Sequence, residues 1–325
     1  MGNTKGDQPR RHHFVSQFYL AGFTKNDSAK DALYVLDKKQ LKTWKSTPEN
    51  TAHIRDFHAI DPEKGGDPMV VEKELGKLEG QWRMTLRAII EAEALPSDDK
   101  AIADLMMFVA FQFVRVQRIR SILSDSIDGL SKSLIQMILA TAESRAGFRK
   151  VVESQDKKLT DQEFEQFVEF GKGGEYDVDY EQTWHVQQMI QMATVLAPLL
   201  NSRKWSLWIA DADSPDLICS DSPVAATWAT APDQWIIPPA FGTPNTIVSV
   251  PLNRRVAIVS MIEKQLPEMR LNKAGVAAVN SMTSMYANQV FSSESDFVWT
   301  MKDYSLGNSV AMLTALRDER SQQGL

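Results

Sequence analysis

Apolar residues recur every three or four positions over 69–93, which is the spacing of one face of an amphipathic helix. Pro96 follows this helix, and Ser97 or Asp98 can cap the next one. That next helix, over 99–120, is apolar nearly all round, so we expect it in the middle of the protein. Further helical patterns cover 15–22, 121–145, 160–170, 181–200 and 272–290.

Strand patterns occupy two separate regions of the chain. Residues 33–36 and 41–44 flank a short polar turn and predict a hairpin. Apolar residues at 205–209, 247–250 and 256–260 predict three more strands. The strands are too few, and their alternation with helices is too poor, for a Rossmann-type sheet. The predicted fold class is therefore α+β, a mainly helical core with a small, mostly antiparallel sheet.

The composition is that of an ordinary globular protein, with 43% apolar and 24% charged residues among 325. The single cysteine, Cys219, excludes an intrachain disulfide and gives no sign of an oxidising compartment. No run of 18 apolar residues occurs, so no membrane span is predicted. We therefore expect a cytoplasmic protein without a membrane partner, and the sequence leaves its oligomeric state open.

Basic residues and histidines are concentrated near the N-terminus. Residues 1–60 contain ten Lys and Arg against six Asp and Glu, a net charge of +4, whereas the whole chain carries −6. Four of the five histidines lie in the same stretch: His12, His13, His53 and His58. This asymmetry predicts a local anion-binding surface on an acidic body. The other interpretation is an ordinary solvated charged surface.

No nucleotide-binding glycine loop, nucleophile elbow or paired metal-binding motif occurs in the chain. The first candidate site is Arg10-Arg11-His12-His13, directly before the helix that we predict from Val15. Helix N-termini bind anions through free backbone N–H groups, and nearby arginines and histidines favour phosphate or carboxylate. We expect His12 or His13 to act as a general base or a metal ligand. The alternative is a disordered basic arm.

The second candidate is Gln112 with Arg115. The two residues share one face of the helix over 99–120 and interrupt its apolar surface. A buried arginine needs a carboxylate or a bound anion. Arg115 therefore predicts either an anion site or a structural ion pair.

The remaining candidates are carboxylates. Asp221 follows a short apolar stretch and precedes Pro223, a position that suits either a working carboxylate or an Asx turn. Glu72 and Glu79 lie seven residues apart on one face of the helix over 69–93. Two helical turns separate them by about 10 Å, so they cannot grip one ion together, and we expect at most one of them at any site.

The opening PRRHHFVSQFYLAGF, which contains His12 and His13, resembles the opening segment of the DUF4238 proteins, an uncharacterised family found mainly in bacteria. The resemblance covers nearly the whole chain and implies one co-linear domain over 12–325, preceded by a flexible basic segment 1–11. The glycine-containing stretch 147–180 is a candidate helical insertion. His58 stands where the family commonly has tyrosine, which weakens any role for that position. Supporting matches lie at 48–50, 56–57, Glu72, Glu79, Gln112, Arg115, 220–223, 250–252, Asn280 and 290–292.

These polar candidates support two functions. In the first, the protein is a hydrolase of a phosphate-containing small molecule or nucleic acid, for example a nuclease or phosphodiesterase. His12 or His13 is then the general base or metal ligand, Arg115 holds the phosphate, and Gln112 orients it or a water molecule. Asp221 binds a metal or orients a histidine, and a divalent ion is a candidate cofactor. In the second function, the same residues form a structural network in a binding or regulatory protein.

Overall fold

The computed structural model describes residues 11–61, 67–154, 159–178, 180–230 and 238–323, and it confirms the α+β class. The helices are α1 (Gln17–Ala21), α2 (Val70–Ala92), α3 (Asp99–Val114), α4 (Gln117–Ile138), α5 (Ala142–Glu153), α6 (Asp161–Gly173), α7 (Gln182–Asn201), α8 (Lys273–Met285) and α9 (Ser309–Gln323). The strands are β1 (Arg11–His13), β2 (Leu33–Asp37), β3 (Lys42–Ser46), β4 (His53–Arg55), β5 (Lys204–Ala210), β6 (Cys219–Ser220), β7 (Ala225–Trp228), β8 (Thr246–Pro251), β9 (Val256–Met261), β10 (Met269–Leu271), β11 (Gln289–Ser292), β12 (Trp299–Thr300) and β13 (Leu306–Gly307).

The strands form small sheets that are mostly antiparallel, as predicted. One sheet has the order β10-β5-β9-β8-β7, in which β10 runs parallel to β5 and the other neighbours are antiparallel. A second sheet has the order β3-β2-β11-β6 and is antiparallel throughout. The predicted hairpin is β2–β3. Two-stranded ladders join β1 to β4 and β12 to β13.

The central helix is α3, as its apolar composition predicts. Asp98 caps it, because its side chain accepts a hydrogen bond from the backbone N–H of Ala101. The helix packs against α2 and α7. Trp82 of α2 is almost fully buried and lies against Phe108 and Phe111 of α3. This aromatic contact positions α2 beside the polar end of α3.

Three predicted helices end several residues earlier than their patterns indicate. The helix predicted over 121–145 is divided into α4, which ends at Ile138, and α5, which begins at Ala142. The helix predicted over 99–120 ends at Val114, and α4 begins at Gln117 after a buried turn at Arg115 and Val116. Sequence periodicity alone continues through this turn because its residues are also apolar or helix-compatible. The helix predicted over 272–290 begins after its Asn272 cap but ends at Met285. The residues that follow form β11, whose backbone pairs with both β2 and β6.

The chain divides into two compact units, 1–117 with 182–325, and 118–181. The smaller unit contains α5, α6 and most of α4, and its core is formed by Leu139, Phe164 and Val168. The predicted insertion 147–180 lies within its bounds, and its origin as an insertion stays a prediction. Of the predicted flexible segment 1–11, the structure describes Arg11, which begins β1; the rest lies outside the described residues. In the described ranges, no helix combines the length and apolarity needed to cross a membrane.

Candidate functional site

The two N-terminal histidines lie on a strand and not at a helix entrance. Residues Arg11–His13 form β1 and pair antiparallel with His53–Arg55 of β4. Because successive strand residues point to opposite faces, His12 is fully buried while the next residue, His13, is partly exposed. The predicted helix over 15–22 is a five-residue helix that begins at Gln17. The predicted anion site at its N-terminus is therefore not formed by these histidines.

His12 meets His58 in the interior. The two imidazoles are stacked, with ring centroids 5.7 Å apart and an interplanar angle of 20°. The backbone N–H of His58 donates a hydrogen bond of 2.8 Å to Nδ1 of His12. Nδ1 of His58 lies 2.9 Å from Oε2 of Glu72, and Nδ1 of His12 lies 3.9 Å from the same oxygen. Residues from β1, from the segment after β4 and from α2 thus meet at one point.

These contacts assign the protons on both rings. Burial, partly offset by Glu72, lowers the pKa of His58, so that its ring is neutral at neutral pH. Burial alone would raise the pKa of Glu72, but the hydrogen bond to His58 and the nearby charges lower it, and the carboxyl is ionised. An ionised carboxylate only accepts hydrogen bonds, so Nδ1 of His58 donates and its Nε2 carries a lone pair. Nδ1 of His12 accepts, so its Nε2 carries the hydrogen.

Arg115 lies at the C-terminal end of α3 and is 1% exposed. Its Nη1 donates a hydrogen bond of 2.8 Å to Oε1 of Glu79, whose side chain is 27% exposed. Among the described residues, nothing accepts a hydrogen bond from its Nε or Nη2, although both atoms are buried. Gln112, one turn earlier, donates to Oγ of Ser16 at 3.2 Å. The guanidinium is thus neutralised by one carboxylate and still has two unused donors.

We call His12, His58, Glu72, Glu79 and Arg115 the buried polar cluster. Its members meet along α2, because Glu72 and Glu79 lie two turns apart on one face of this helix, where the first holds His58 and the second holds Arg115. Within the described part of the chain, Nε2 of His12 and Nε2 of His58 are also buried without a hydrogen-bond partner. Buried polar atoms without partners are rare in folded proteins, and where they gather they mark water, an ion or a ligand.

His13 follows His12 on β1, and its ring contacts a residue that lines a separate cavity. Burial, together with the neighbouring His53, lowers the pKa of His13. Arg115 also lowers this pKa, and Glu79 raises it. Its ring contacts that of His53 edge to face, with centroids 5.5 Å apart. His53 lines a cavity of about 360 Å³ whose wall also contains Asp221. Burial raises the pKa of Asp221 to about 6, against the opposing effect of two backbone N–H donors.

The structure therefore brings some of the predicted site residues together and separates others. His12 and Arg115 belong to one cluster, and Gln112 lies one turn away from Arg115 on α3. Asp221 and His53 both line the separate cavity. The lining of this cavity includes neither His12 nor Arg115. A residue that orients a histidine must contact it. Asp221 contacts neither His12 nor His13, so it does not orient either of them.

The sequence gives little sign of the role of three members of the buried polar cluster. His58 departs from the common tyrosine of the family pattern, yet it is the residue that links His12 to Glu72. Glu72 and Glu79 do contact different groups, as their spacing predicts, but both enter the same cluster. The sequence feature that indicates a shared site is their position on one face of α2, opposite the polar end of α3.

A metal ion is a second way to use this geometry. The ligating atoms of His12, His58 and Glu72 lie within 4.8 Å of one another, and two histidines with one glutamate are a known ligand set for zinc. Nδ1 of His12, however, already accepts the backbone N–H of His58, and its other nitrogen carries the hydrogen. Metal binding by these atoms would require that hydrogen bond to break, because a metal needs the same lone pair.

Comparison with known proteins adds a family and no function. A family model described as a protein of unknown function, DUF4238, matches residues 11–310. No curated protein matches the chain. No solved structure matches it either.

Proposed function

The chain belongs to the DUF4238 family, whose members have no established function, and from the geometry of the buried polar cluster we propose that it hydrolyses phosphate esters. His58 is the proposed general base, Glu72 positions it, and Arg115 binds the phosphate. This proposal keeps the reaction class that the sequence suggests but moves the base from His12 or His13 to His58.

The observation that carries the proposal is the state of His58. Its Nδ1 donates to the Glu72 carboxylate at 2.9 Å, while its Nε2 has a lone pair and no partner among the described residues. A carboxylate that holds one ring nitrogen fixes the tautomer and stabilises the imidazolium that forms when the other nitrogen takes a proton. This arrangement is what general-base catalysis by histidine requires.

Arg115 supports the same chemistry. Its side chain is buried, and its Nε and Nη2 point at no acceptor in the described part of the chain. Two N–H groups of one guanidinium match two oxygens of a phosphate. Nε2 of His12 is one more buried donor without a partner. A phosphate would satisfy donors that otherwise stay unpaired at a substantial free-energy penalty.

The proposed reaction proceeds by in-line displacement at phosphorus. Nε2 of His58 takes a proton from a water molecule while the water oxygen forms a bond to phosphorus. The ester P–O bond breaks on the opposite side of phosphorus, and the alkoxide leaving group takes a proton from a solvent water molecule. The His58 imidazolium then gives its proton to the hydroxide that remains, and the products are an alcohol and a phosphate. On the α2 side of the cluster, the side chains of Glu72 and Glu79 are 28% and 27% exposed, so the cluster is open to solvent there.

A matched pair of variants on α2 tests this proposal. Glu72→Gln removes the carboxylate that holds His58, and Glu74→Gln changes an exposed glutamate that pairs with Lys77 on the surface. Cleavage of labelled RNA, labelled DNA and bis(p-nitrophenyl) phosphate is measured in EDTA and with added Mg²⁺ or Mn²⁺. We expect Glu72→Gln to lower kcat/KM by about 100-fold or more and Glu74→Gln to leave it unchanged.

The pH profile separates positioning from simple loss of structure. A carboxylate beside an imidazole raises its pKa, so Glu72→Gln should move the acidic limb of the kcat/KM profile to lower pH. A purely structural role would lower the activity without moving this limb. If the wild-type protein cleaves none of the three substrates under any of these conditions, the proposed reaction is wrong.

One observation favours the alternative function, a binding or regulatory protein with a structural polar network. Arg115 pairs with Glu79 at 2.8 Å, which is the partner that a structural arginine requires. In that case inorganic phosphate should not protect the protein against urea unfolding. If Arg115 instead binds phosphate, millimolar phosphate should stabilise the wild-type protein more than chloride of equal ionic strength does.

A further inference from the structure

A cavity of about 360 Å³ lies against the β1–β4 ladder, within the larger unit. It is bounded by the β1–β4 ladder, by the β2–β3 hairpin, and by the segment after β6 together with the start of β11. Its volume falls within the range that small-molecule sites occupy. Its aromatic and polar lining includes Trp44, Asp37, Lys39, His53, Asp221 and Asn288.

Asp221 supplies a hydrogen-bond acceptor to this cavity. Its side chain is 9% exposed, and its Oδ1 accepts the backbone N–H of Asn288 at 3.0 Å. Backbone N–H groups of Asn288 and Gln289 are its donors, and no side chain of the described residues donates a hydrogen bond to this carboxylate, which lines the cavity. With its pKa raised to about 6 by burial, Asp221 is ionised at neutral pH and can only accept hydrogen bonds. The group that it recognises must therefore be a donor.

Asn288 and Trp44 add a mixed polar edge and an aromatic face. The side-chain amide of Asn288 makes no hydrogen bond with the described residues, so it can both donate and accept in the cavity. Trp44 lies on the edge strand β3 and is 40% exposed, a large indole surface left open beside the cavity. Aromatic side chains exposed beside polar groups are the usual platform on which nucleobases stack.

We propose that this cavity binds a nucleobase that carries an exocyclic amino group. Trp44 stacks on the base, Asp221 accepts a hydrogen bond from the amino group, and the amide of Asn288 pairs with the neighbouring ring positions. A carboxylate paired with an amino N–H is an established mode of base recognition. The inference rests on the proposed function, since it makes the substrate a nucleotide or a nucleic acid.

The position of the cavity fits that substrate. Its wall includes His53, whose ring contacts that of His13 edge to face, and His13 follows the buried His12 on β1. A base in the cavity thus lies next to the β1–β4 ladder, whose strand β1 also carries His12 of the buried polar cluster. Base recognition and phosphate binding would then come from adjoining parts of the larger unit.

The experiment uses nucleosides, which have no phosphate and cannot be hydrolysed at an ester. Binding of guanosine, adenosine, cytidine and uridine to the full chain is followed by isothermal titration calorimetry at neutral pH in EDTA. We expect at least one amino-bearing nucleoside to bind about tenfold more tightly than uridine, which lacks an amino group. Because phosphate and cleavage play no part, failure here is distinguishable from failure of the proposed hydrolysis.

Variants test the two recognition elements separately. Trp44→Ala should weaken binding about tenfold, and Trp44→Phe should retain most of it. Asp221→Asn should abolish the preference over uridine, because the charge-assisted hydrogen bond is lost. Lys42→Ala, an exposed change on the same strand outside the cavity, is the control and should bind as the wild type does. The proposal is overturned if no nucleoside binds, if uridine binds as well as the others, or if Trp44→Ala has no effect.

Discussion

The buried carboxyl of Asp221 makes the free energy of unfolding of the protein depend on pH. Its pKa is raised from 3.8 to about 6, chiefly because burial disfavours the charged form. Between these values the folded protein binds more protons than the unfolded chain does. The free energy of unfolding therefore falls as the pH rises through this window, and the contribution of Asp221 is constant above it.

The magnitude follows from the same shift. A difference between 3.8 and about 6 corresponds to about 3 kcal/mol across the full window. About 2 kcal/mol of this lies between about pH 4.5 and about pH 7.5, where the measurement is practical. Asp221→Asn removes the titrating group while its amide oxygen can still accept the backbone N–H of Asn288. The variant should thus gain about 2 kcal/mol relative to the wild type over that interval.

Urea unfolding followed by tryptophan fluorescence measures this difference in the right part of the molecule. All eight tryptophans lie in the unit 1–117 with 182–325, which also contains Asp221, and the unit 118–181 has none. Asp213→Asn, an exposed change, is the control and should follow the wild type at both pH values. If wild type and Asp221→Asn show the same pH dependence, the carboxyl is not held in a desolvated site and the argument fails.

Other predictions concern the polar networks and metal dependence. Glu79→Ala leaves the buried charge of Arg115 uncompensated and should reduce the free energy of unfolding by about 3–5 kcal/mol. The double variant Glu79→Ala with Arg115→Met should recover most of this loss. If the single and the double variant lose the same free energy of unfolding, the ion-pair argument is contradicted. Asn280→Ala leaves the backbone N–H of Ile218 and the carbonyl of Val298 without a hydrogen-bond partner. The variant should lose about 2–4 kcal/mol of the free energy of unfolding in the same assay, and a loss below about 0.5 kcal/mol would refute this prediction. EDTA should leave phosphoester cleavage unchanged, and activity that disappears in EDTA and returns with Mn²⁺ would refute our assignment of the His12 and His58 protons.

The sequence alone determined the local features of this protein. The periodicity of α2 and α3, the Asp98 and Asn272 caps and the β2–β3 hairpin were all predictable, because each depends on residues a few positions apart. It also identified His12 as part of a basic N-terminal segment, and Gln112 and Arg115 as polar residues that interrupt an apolar helix face. The residue types therefore indicated which side chains were candidates, and the family pattern supported the same set.

Tertiary structure decided which of these residues meet. His12 reaches His58 across 46 positions, and Arg115 reaches Glu79 across 36. Neither contact leaves a periodic trace in the sequence, because it depends on how β1 pairs with β4 and how α3 packs on α2. The same long-range packing placed Asp221 beside His53 and away from Arg115. Tertiary structure also determines the protonation of His58, because the burial and hydrogen bonds that set its tautomer exist only in the folded chain.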